Sequence, residues 1–304
     1  MEVNSHTCEL MSTKSPANTD VTRDKHSALQ ITLSGPSLIV TIVGLILAIH
    51  LLHPSITAML IALATVQYIV TNDFKAFLSL GPGGTPSTFL GYLKITYLRL
   101  FALSDPFSPS SCLSSSETYP SVGFFQSCEA EIWLPYRQGP RPNVAGIAPQ
   151  RQLDQYGCPK VHQCIRDALQ HATKVYPNVL RTGVSCFEKN GIALFGMKCV
   201  NRTCNGEICH IHASDKSLHL SLHPTDAKVV LERGWGQRHP LARSGWLRKY
   251  VVSAVPPEFV MVYAPKTIEE GKIIARVVEA AAWWVMGEKI ELDIGRGWRE
   301  AEAA

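Results

Sequence analysis

Apolar residues are spaced along this chain in three ways, and each spacing predicts a different element. The first is a near-continuous run. From Leu38 to Val70 there is no Asp, Glu, Lys or Arg, and His50, His53 and Pro54 are what interrupt it. A helix that crosses a bilayer needs about 20 apolar residues, so residues 37–71 are expected to hold one or two transmembrane segments. Either two short arms fold back at His53-Pro54, or one helix over Pro54–Val70 spans and the preceding piece lies at the interface. Residues 1–36 are polar and unpatterned, which reads as a disordered tail.

The second spacing is helical. Cys158–Val175 predicts an amphipathic helix, and Phe89–Leu103 an apolar one after the Gly/Pro turn at 81–86. Thr225–Arg233 predicts a short helix capped by Thr225 and stopped at Gly234. Thr267-Ile268-Glu269-Glu270 is a capping box. The helix it opens carries Ile273, Val277 and Ala281 at i, i+4, i+8, with Ile274, Val278 and Val285 beside them, one buried stripe.

The third spacing is alternation, which puts successive side chains on opposite faces of a strand. Glu207–His223 alternates, and Ile192–Val200 and Glu258–Tyr263 also read as strands. Strands and helices mix without a strict βαβ order, so the class is α+β: a mixed, largely antiparallel sheet with flanking helices, preceded by the transmembrane segment. The implied organisation is a tail over 1–36, the membrane segment over 37–71, a membrane-proximal helix and Ser/Pro-rich linker over 72–122, the main domain over 123–287 and a polar C-terminal tail over 288–304.

Composition narrows this picture. A chain of 304 residues can bury a real core, and a formal charge of +4 without a long Lys/Arg run points away from nucleic acid. Nine cysteines occur without a C-x-x-C pair, so no zinc ribbon is expected and mostly reduced thiols are, with bridges only if the domain is lumenal. Asn201-Arg202-Thr203 is a sequon that matters on the same condition. Positive residues flank the apolar run on both sides, at Arg23, Lys25, Lys75, Lys94 and Arg99. A hairpin would leave both flanks in the cytosol, so an endomembrane protein with its main domain facing the cytosol is expected.

The chemistry concentrates in two segments. If Ala213–Lys216 is a turn, His212 pairs with Ser217 and His210 lies opposite His219. One face then carries His210, His212, Ser217, His219 and Ser221, and the other Cys209, Ile211, Leu218, Leu220 and Leu222. The second face is core. By the same parity Glu207 points away from the histidines. Three imidazoles on one face can relay protons, stabilise an oxyanion or bind a transition metal. The second segment is Gly234-Trp235-Gly236-Gln237-Arg238-His239, where two glycines fix a large ring and Arg238 suits an anion. No G-x-S-x-G, G-x-G-x-x-G or G-K-[ST] motif is present, so neither a nucleophile elbow, a dinucleotide fold nor a phosphate loop is expected.

These residues resemble those of the fungal luciferase family. The resemblance rests on Asp73-Phe-Lys-Ala-Phe-Leu-Ser-Leu-Gly-Pro82, on Glu207-Ile-x-His-x-His and Ser217-Leu-His-Leu-x-Leu, and on Lys228-Val-Val-Leu-x-x-Gly-Trp-Gly-Gln-Arg-His-Pro-Leu-Ala242. Val262-Tyr-Ala-Pro265 closes it. The resemblance implies an anchored domain that oxidises an enolisable 3-hydroxy-2-pyrone with O2 and no organic cofactor. It implies His210, His212, His219, Arg238 and His239 as catalytic residues, one His taking the enol proton and Arg238 holding the anion. Trp235, Gln237, Ser217 and Ser221 would bind substrate. Poor agreement over residues 105–200 points to a non-luminous or biosynthetic member.

Two other readings stay open at this point. One is a metal-dependent enzyme using His210, His212 and His219. The other is a non-catalytic, membrane-associated small-molecule binder.

Overall fold

The computed structural model describes residues 34–51, 55–110, 119–127, 134–201, 203–243, 255–296 and 298. Most of the expected 1–36 tail, part of the Ser/Pro-rich linker and the last residues lie outside them.

A six-stranded sheet organises the chain. It contains β3 (Leu180–Val184), β4 (Ile192–Gly196), β5 (Glu207–Ile211), β6 (Leu218–Ser221), β7 (Gly236–Arg238) and β8 (Phe259–Val262). The strand order is β3-β4-β5-β6-β8-β7, and every neighbouring pair is antiparallel. A separate two-stranded ribbon joins β1 (Val144–Gly146) to β2 (Gln150–Gln152). The α+β expectation therefore holds for the main domain, with antiparallel sheets and flanking helices.

One face of the sheet is apolar. Leu194, Cys209, Leu220 and Val260 lie in one row across it, and Ile211, Leu218 and Val262 in the next. All are buried. They pack on α5 (Pro159–Val175) and α7 (Ile268–Met286), with α4 (Phe124–Ser127) against α7. Val277, Val278, Ala281 and Val285 of α7 are fully buried, each valine adding about 1.5–3 kcal/mol relative to exposure. Thr267 caps α7 by accepting from the Glu270 amide at 3.2 Å, as the capping box predicts. Glu270 reaches the amide of Lys266, one residue before the cap. α6 (Pro224–Glu232) starts earlier than expected: its cap is His223, whose Nδ1 accepts from the Thr225 amide. Gly234, at φ +80°, ends the turn that follows.

The other face carries the polar row and is also covered. α2 (Ile56–Ser79) and α3 (Phe89–Arg99) meet in a second core with Phe77, Tyr92, Ile95 and Leu98, and this core reaches Ile147, Leu241, Val255 and Phe259. Asp73 of α2 holds it by accepting from Tyr92 at 2.9 Å and pairing with Arg99. The expected membrane-proximal segment is thus a layer of the same fold. At the other end, Ile290 and Ile294 are buried in the first core, so the segment after 287 begins as packed structure where a polar tail was expected.

α1 (Gly35–Leu51) and α2 fold back on one another. The start of α1 lies against the carbonyl of Arg99, beside Asp73 of α2, and the break falls between Leu51 and Ile56. α1 has 17 residues, about 25 Å of helix. No helix among the described residues is long and apolar enough to cross a membrane, so the transmembrane expectation gains no support. Both helices nevertheless expose large apolar side chains, among them Val40 (70%) and Ile56 (74%).

Candidate functional site

The hairpin of β5 and β6 has the expected register. His210 pairs with His219, Cys209 with Leu220 and Ile211 with Leu218. The His212 amide donates to the Ser217 carbonyl at 2.9 Å, closing the turn over 213–216. Across the sheet, Ala193, His210, His219, Met261 and Gln237 form one row. The predicted polar face exists, and it is buried throughout.

Glu207 departs from its predicted side. Phe195 pairs with Glu207 and Leu194 with Cys209, so β5 has one extra residue where the register shifts between Leu194 and Phe195. Such a bulge reverses the parity of what precedes it. Glu207 therefore joins the histidine face, and its Oε1 lies 2.6 Å from His210 Nδ1. The carboxylate also accepts from Ser185 Oγ at 2.8 Å and the Cys186 amide at 2.7 Å.

The imidazoles meet edge to edge. His219 Nδ1 lies 3.2 Å from His210 Nε2 and 3.0 Å from His212 Nε2. His219 Nε2 lies 2.8 Å from Gln150 Oε1, and His212 Nδ1 lies 2.8 Å from Ser217 Oγ. Ser217 in turn donates to Asp215 at 2.8 Å. Burial drives the pKa of His219 well below the usual imidazole value, with His212, His210 and His239 adding to it. Burial also lowers His212, and it takes His239 to about 4. For Asp215 burial acts upward, yet the hydrogen bond and charge of His212 outweigh it and hold the carboxyl at about 2. Burial therefore favours the neutral form of His212, His219 and His239, and Glu207 and Asp215 stand behind the cluster.

The histidines form one wall of a cavity of about 280 Å³. His210, His219 and His239 line it with Gln150, Phe187 and Phe259. Phe259 stacks on His219, with ring centres 5.3 Å apart and planes 12° apart, and Phe187 lies 4.8 Å from Phe259. The roof comes from Thr85, Lys94 and Leu98 of the α2–α3 layer. Lys94 and Lys189 stand exposed at its rim.

The second segment divides. His239 reaches the cavity, fixed by a bond from Nε2 to the Ile147 carbonyl at 2.8 Å and one from the Leu241 amide to Nδ1. Gln237 shares its face and accepts from Tyr263 OH. Arg238 does not come to the cavity. By parity it pairs with Val260, on the reverse face, and its guanidinium donates to the carbonyls of Ala242, Pro257 and Ser108. Trp235 packs in the first core, with Nε1 donating to the Pro135 carbonyl. Ser217 serves as a relay between His212 and Asp215. Ser221 is buried, and its Oγ has no hydrogen-bond partner among the described residues.

Sequence reasoning missed Gln150, Phe187 and Phe259. The first two come from segments distant from the hairpin, and no periodicity marks them. Phe259 sat in a predicted strand, but its stacking partner was not legible. The chain also forms a Cys186–Cys204 disulfide, and Cys158 is disulfide-bonded. Cys164, Cys199 and Cys209 are free thiols.

Comparison with known proteins matches these elements. Residues 205–281 match the family model described as a luciferase domain. That span contains β5, β6, β7 and β8, hence all three clustered histidines and His239. A luciferase of Neonothopanus nambi is 28% identical over 239 residues, covering 72% of this chain and 82% of the relative. A luciferase of Armillaria gallica is 29% identical over 238 residues with the same coverage, and one of Armillaria mellea is 27% identical over 270 residues, 81% of this chain and 94% of the relative. No solved structure matches the chain. Residues 205–281 are thus similar to a luciferase domain, and most of the chain is similar to the fungal luciferases.

Proposed function

We propose that this chain is a membrane-associated, luciferase-like oxidoreductase. It uses O2 to oxygenate an enolisable pyrone- or polyketide-type substrate in secondary metabolism, without an organic cofactor. The observation that carries the reading is the cavity walled by the buried His210, His219 and His239, three residues of the span that matches the luciferase domain. A cavity of about 280 Å³ suits one small ring system. The near-parallel Phe259 and His219 rings offer flat apolar surface to such a ring. His210 lines the cavity with its Nδ1 held by Glu207 at 2.6 Å, which places it to accept the proton of a substrate enol. Lys94 and Lys189 at the rim supply the positive charge that was expected from Arg238.

The test is oxygen uptake by the purified chain with a panel of 3-hydroxy-2-pyrones and related polyketides. Products are followed by mass and photons are counted in the same reaction. Uptake with a new oxygenated or decarboxylated product supports the reading, and photon yield then decides whether the chain is luminous. No uptake and no product across the panel ends it.

Membrane attachment rests on the apolar surface of α1 and α2, larger than soluble monomers usually leave bare. In this reading the hairpin enters the bilayer from the side on which the luciferase domain lies. Flotation with liposomes of the full chain, and its loss in a chain starting at residue 72, is the expected result. The cytosolic orientation expected from the flanking charges faces one contrary observation. The Cys186–Cys204 bond favours an oxidising compartment. Asn201 of the sequon already donates to the carbonyls of Tyr119 and Trp284 at 2.7 Å, so its amide is committed to the fold on either side. Alkylation of the two cysteines in cells before and after reduction assigns the compartment.

A further inference from the structure

The three clustered histidines share a feature that proton transfer does not require. The outward ring nitrogen of each faces a group that can accept. His210 Nδ1 faces the Glu207 carboxylate at 2.6 Å. His212 Nδ1 faces Ser217 Oγ at 2.8 Å, and the Ser217 proton is already given to Asp215. His219 Nε2 faces Gln150 Oε1 at 2.8 Å. In the tautomer that gives each of these partners an N–H, the other nitrogen of each ring presents a lone pair. These three nitrogens, His210 Nε2, His212 Nε2 and His219 Nδ1, point at one another, with His219 Nδ1 at 3.2 and 3.0 Å from the other two. All three lie within 4.8 Å of one another and all three residues are buried.

In that tautomer three lone pairs converge among buried rings and repel, and a cation at their centre relieves them. With metal–nitrogen bonds of about 2.0–2.1 Å, ligand nitrogens lie about 2.9 Å apart at a right angle and about 3.3 Å apart at the tetrahedral angle. The two close separations fall in that interval. The outer partners complete the pattern, because metal-binding histidines as a rule give the other ring N–H to a carboxylate or carbonyl that fixes tautomer and orientation. Glu207, Ser217 with Asp215, and Gln150 do this for the three rings.

We propose that His210 Nε2, His212 Nε2 and His219 Nδ1 form a three-nitrogen site for one divalent first-row transition ion, open on the side where His210 and His219 line the cavity. Imidazole ligands suit zinc, copper, iron and nickel. Three protein ligands leave a position for water or a substrate oxygen. The inference goes beyond the oxygenase reading and stands without it, since it concerns the ligand set alone.

The test uses the full-length chain with any affinity tag removed. The protein is stripped with a chelator, incubated with Zn2+, desalted and analysed for metal. One Zn2+ per chain is expected. His212→Ala and His219→Ala should retain none, while His239→Ala, which lines the cavity outside the trio, should keep it. Gln150→Ala, which touches no metal, should weaken Zn2+ by roughly tenfold or more in competition with a chromogenic chelator. Because a histidine variant can fail to fold, the wild-type chain is also titrated with Co2+. A visible absorption of nitrogen-bound, low-coordinate Co2+ that saturates at one equivalent and is displaced by Zn2+ supports the site. Wild-type protein that retains no Zn2+ and shows only the spectrum of aqueous Co2+ overturns it, as does Zn2+ retention unchanged in a folded His219→Ala. Oxygen uptake is not the readout, so failure of the metal site and failure of the oxygenase reading are distinguishable.

Discussion

Two segments within residues 205–281 look equally equipped for chemistry, the histidine hairpin β5–β6 and the run from Trp235 to His239. The structure uses them differently. The hairpin delivers every histidine it was expected to deliver and adds Glu207. The second run delivers His239 to the cavity and spends Arg238 and Trp235 on the fold. Both outcomes follow from strand parity. A strand sends alternate residues to opposite faces, so adjacent Arg238 and His239 cannot both look at the cavity. Glu207 joins His210 because one bulged residue shifts the count. Richness in polar residues does not make a site; the face that they share does.

The largest expected effect tests this contrast directly. His219→Ala removes the ring at the centre of the cluster, and it should lower the oxygenation rate by roughly 10²–10⁴-fold, the range for a positioned proton-transfer group. Arg238→Ala should act on stability. It leaves the carbonyls of Ala242, Pro257 and Ser108 without their donor, at a cost of about 3 kcal/mol, while the rate per folded molecule stays near wild type. Denaturant titration and initial rates on both variants are the measurements. A stable Arg238→Ala with a collapsed rate would reverse the two roles.

Glu207→Gln comes next. The amide is close in shape and can still accept from the Cys186 amide or Ser185, but it no longer presents a charge to His210. A loss of roughly 10–100-fold in rate or in metal affinity is expected, with the circular-dichroism spectrum kept. If the variant matches wild type, the bulge that brings Glu207 to the histidine face has no functional consequence.

How far the sequence carried this picture is visible in the same residues. Local rules were enough for the β5–β6 register, the turn after His212, the apolar reverse face and the Thr267 cap, because each depends on neighbours in the chain. They failed at Glu207, because a bulge depends on how β4 meets β5. They could not anticipate Gln150, Phe187 or the roof from α3, which reach the site through non-local packing. The expected C-terminal tail was misjudged for a similar reason. Ile290, Leu292 and Ile294 alternate with charged residues over a short span, and the burial of the two isoleucines depends on the distant core that they join.

A smaller effect comes from a buried carboxylate of the opposite face. Asp226, at the start of α6, accepts from the amides of Phe124 and Phe125 at 2.7 and 3.1 Å. Burial nonetheless pushes its pKa up to about 7, against those hydrogen bonds. The folded chain thus holds this proton more tightly than the unfolded chain, whose value is about 4. Its contribution is fully present below about pH 4 and is lost as pH rises through about 7. The Tm of wild type should therefore fall by a few degrees between mildly acidic and mildly basic buffer. Asp226→Asn should flatten that slope, and a slope of the same size in both proteins would discard the assignment.

The finest comparison lies within β6 and its approach, between Ser217 and Ser221. Both hydroxyls are fully buried on the histidine face. Ser217 accepts from His212 and donates to Asp215, so Ser217→Ala breaks two bonds and frees the His212 ring. A loss of about 1–2 kcal/mol is expected, together with a drop in activity. Ser221 Oγ has no partner among the described residues, and an unpaired buried hydroxyl is a cost that alanine removes. Ser221→Ala should leave activity unchanged and raise stability by up to about 1 kcal/mol. Thermal melts of the two variants, side by side with oxygen uptake, measure both. If Ser221→Ala instead weakens substrate binding, the cavity extends along β6 past His219, and the substrate role expected of Ser221 from the sequence returns.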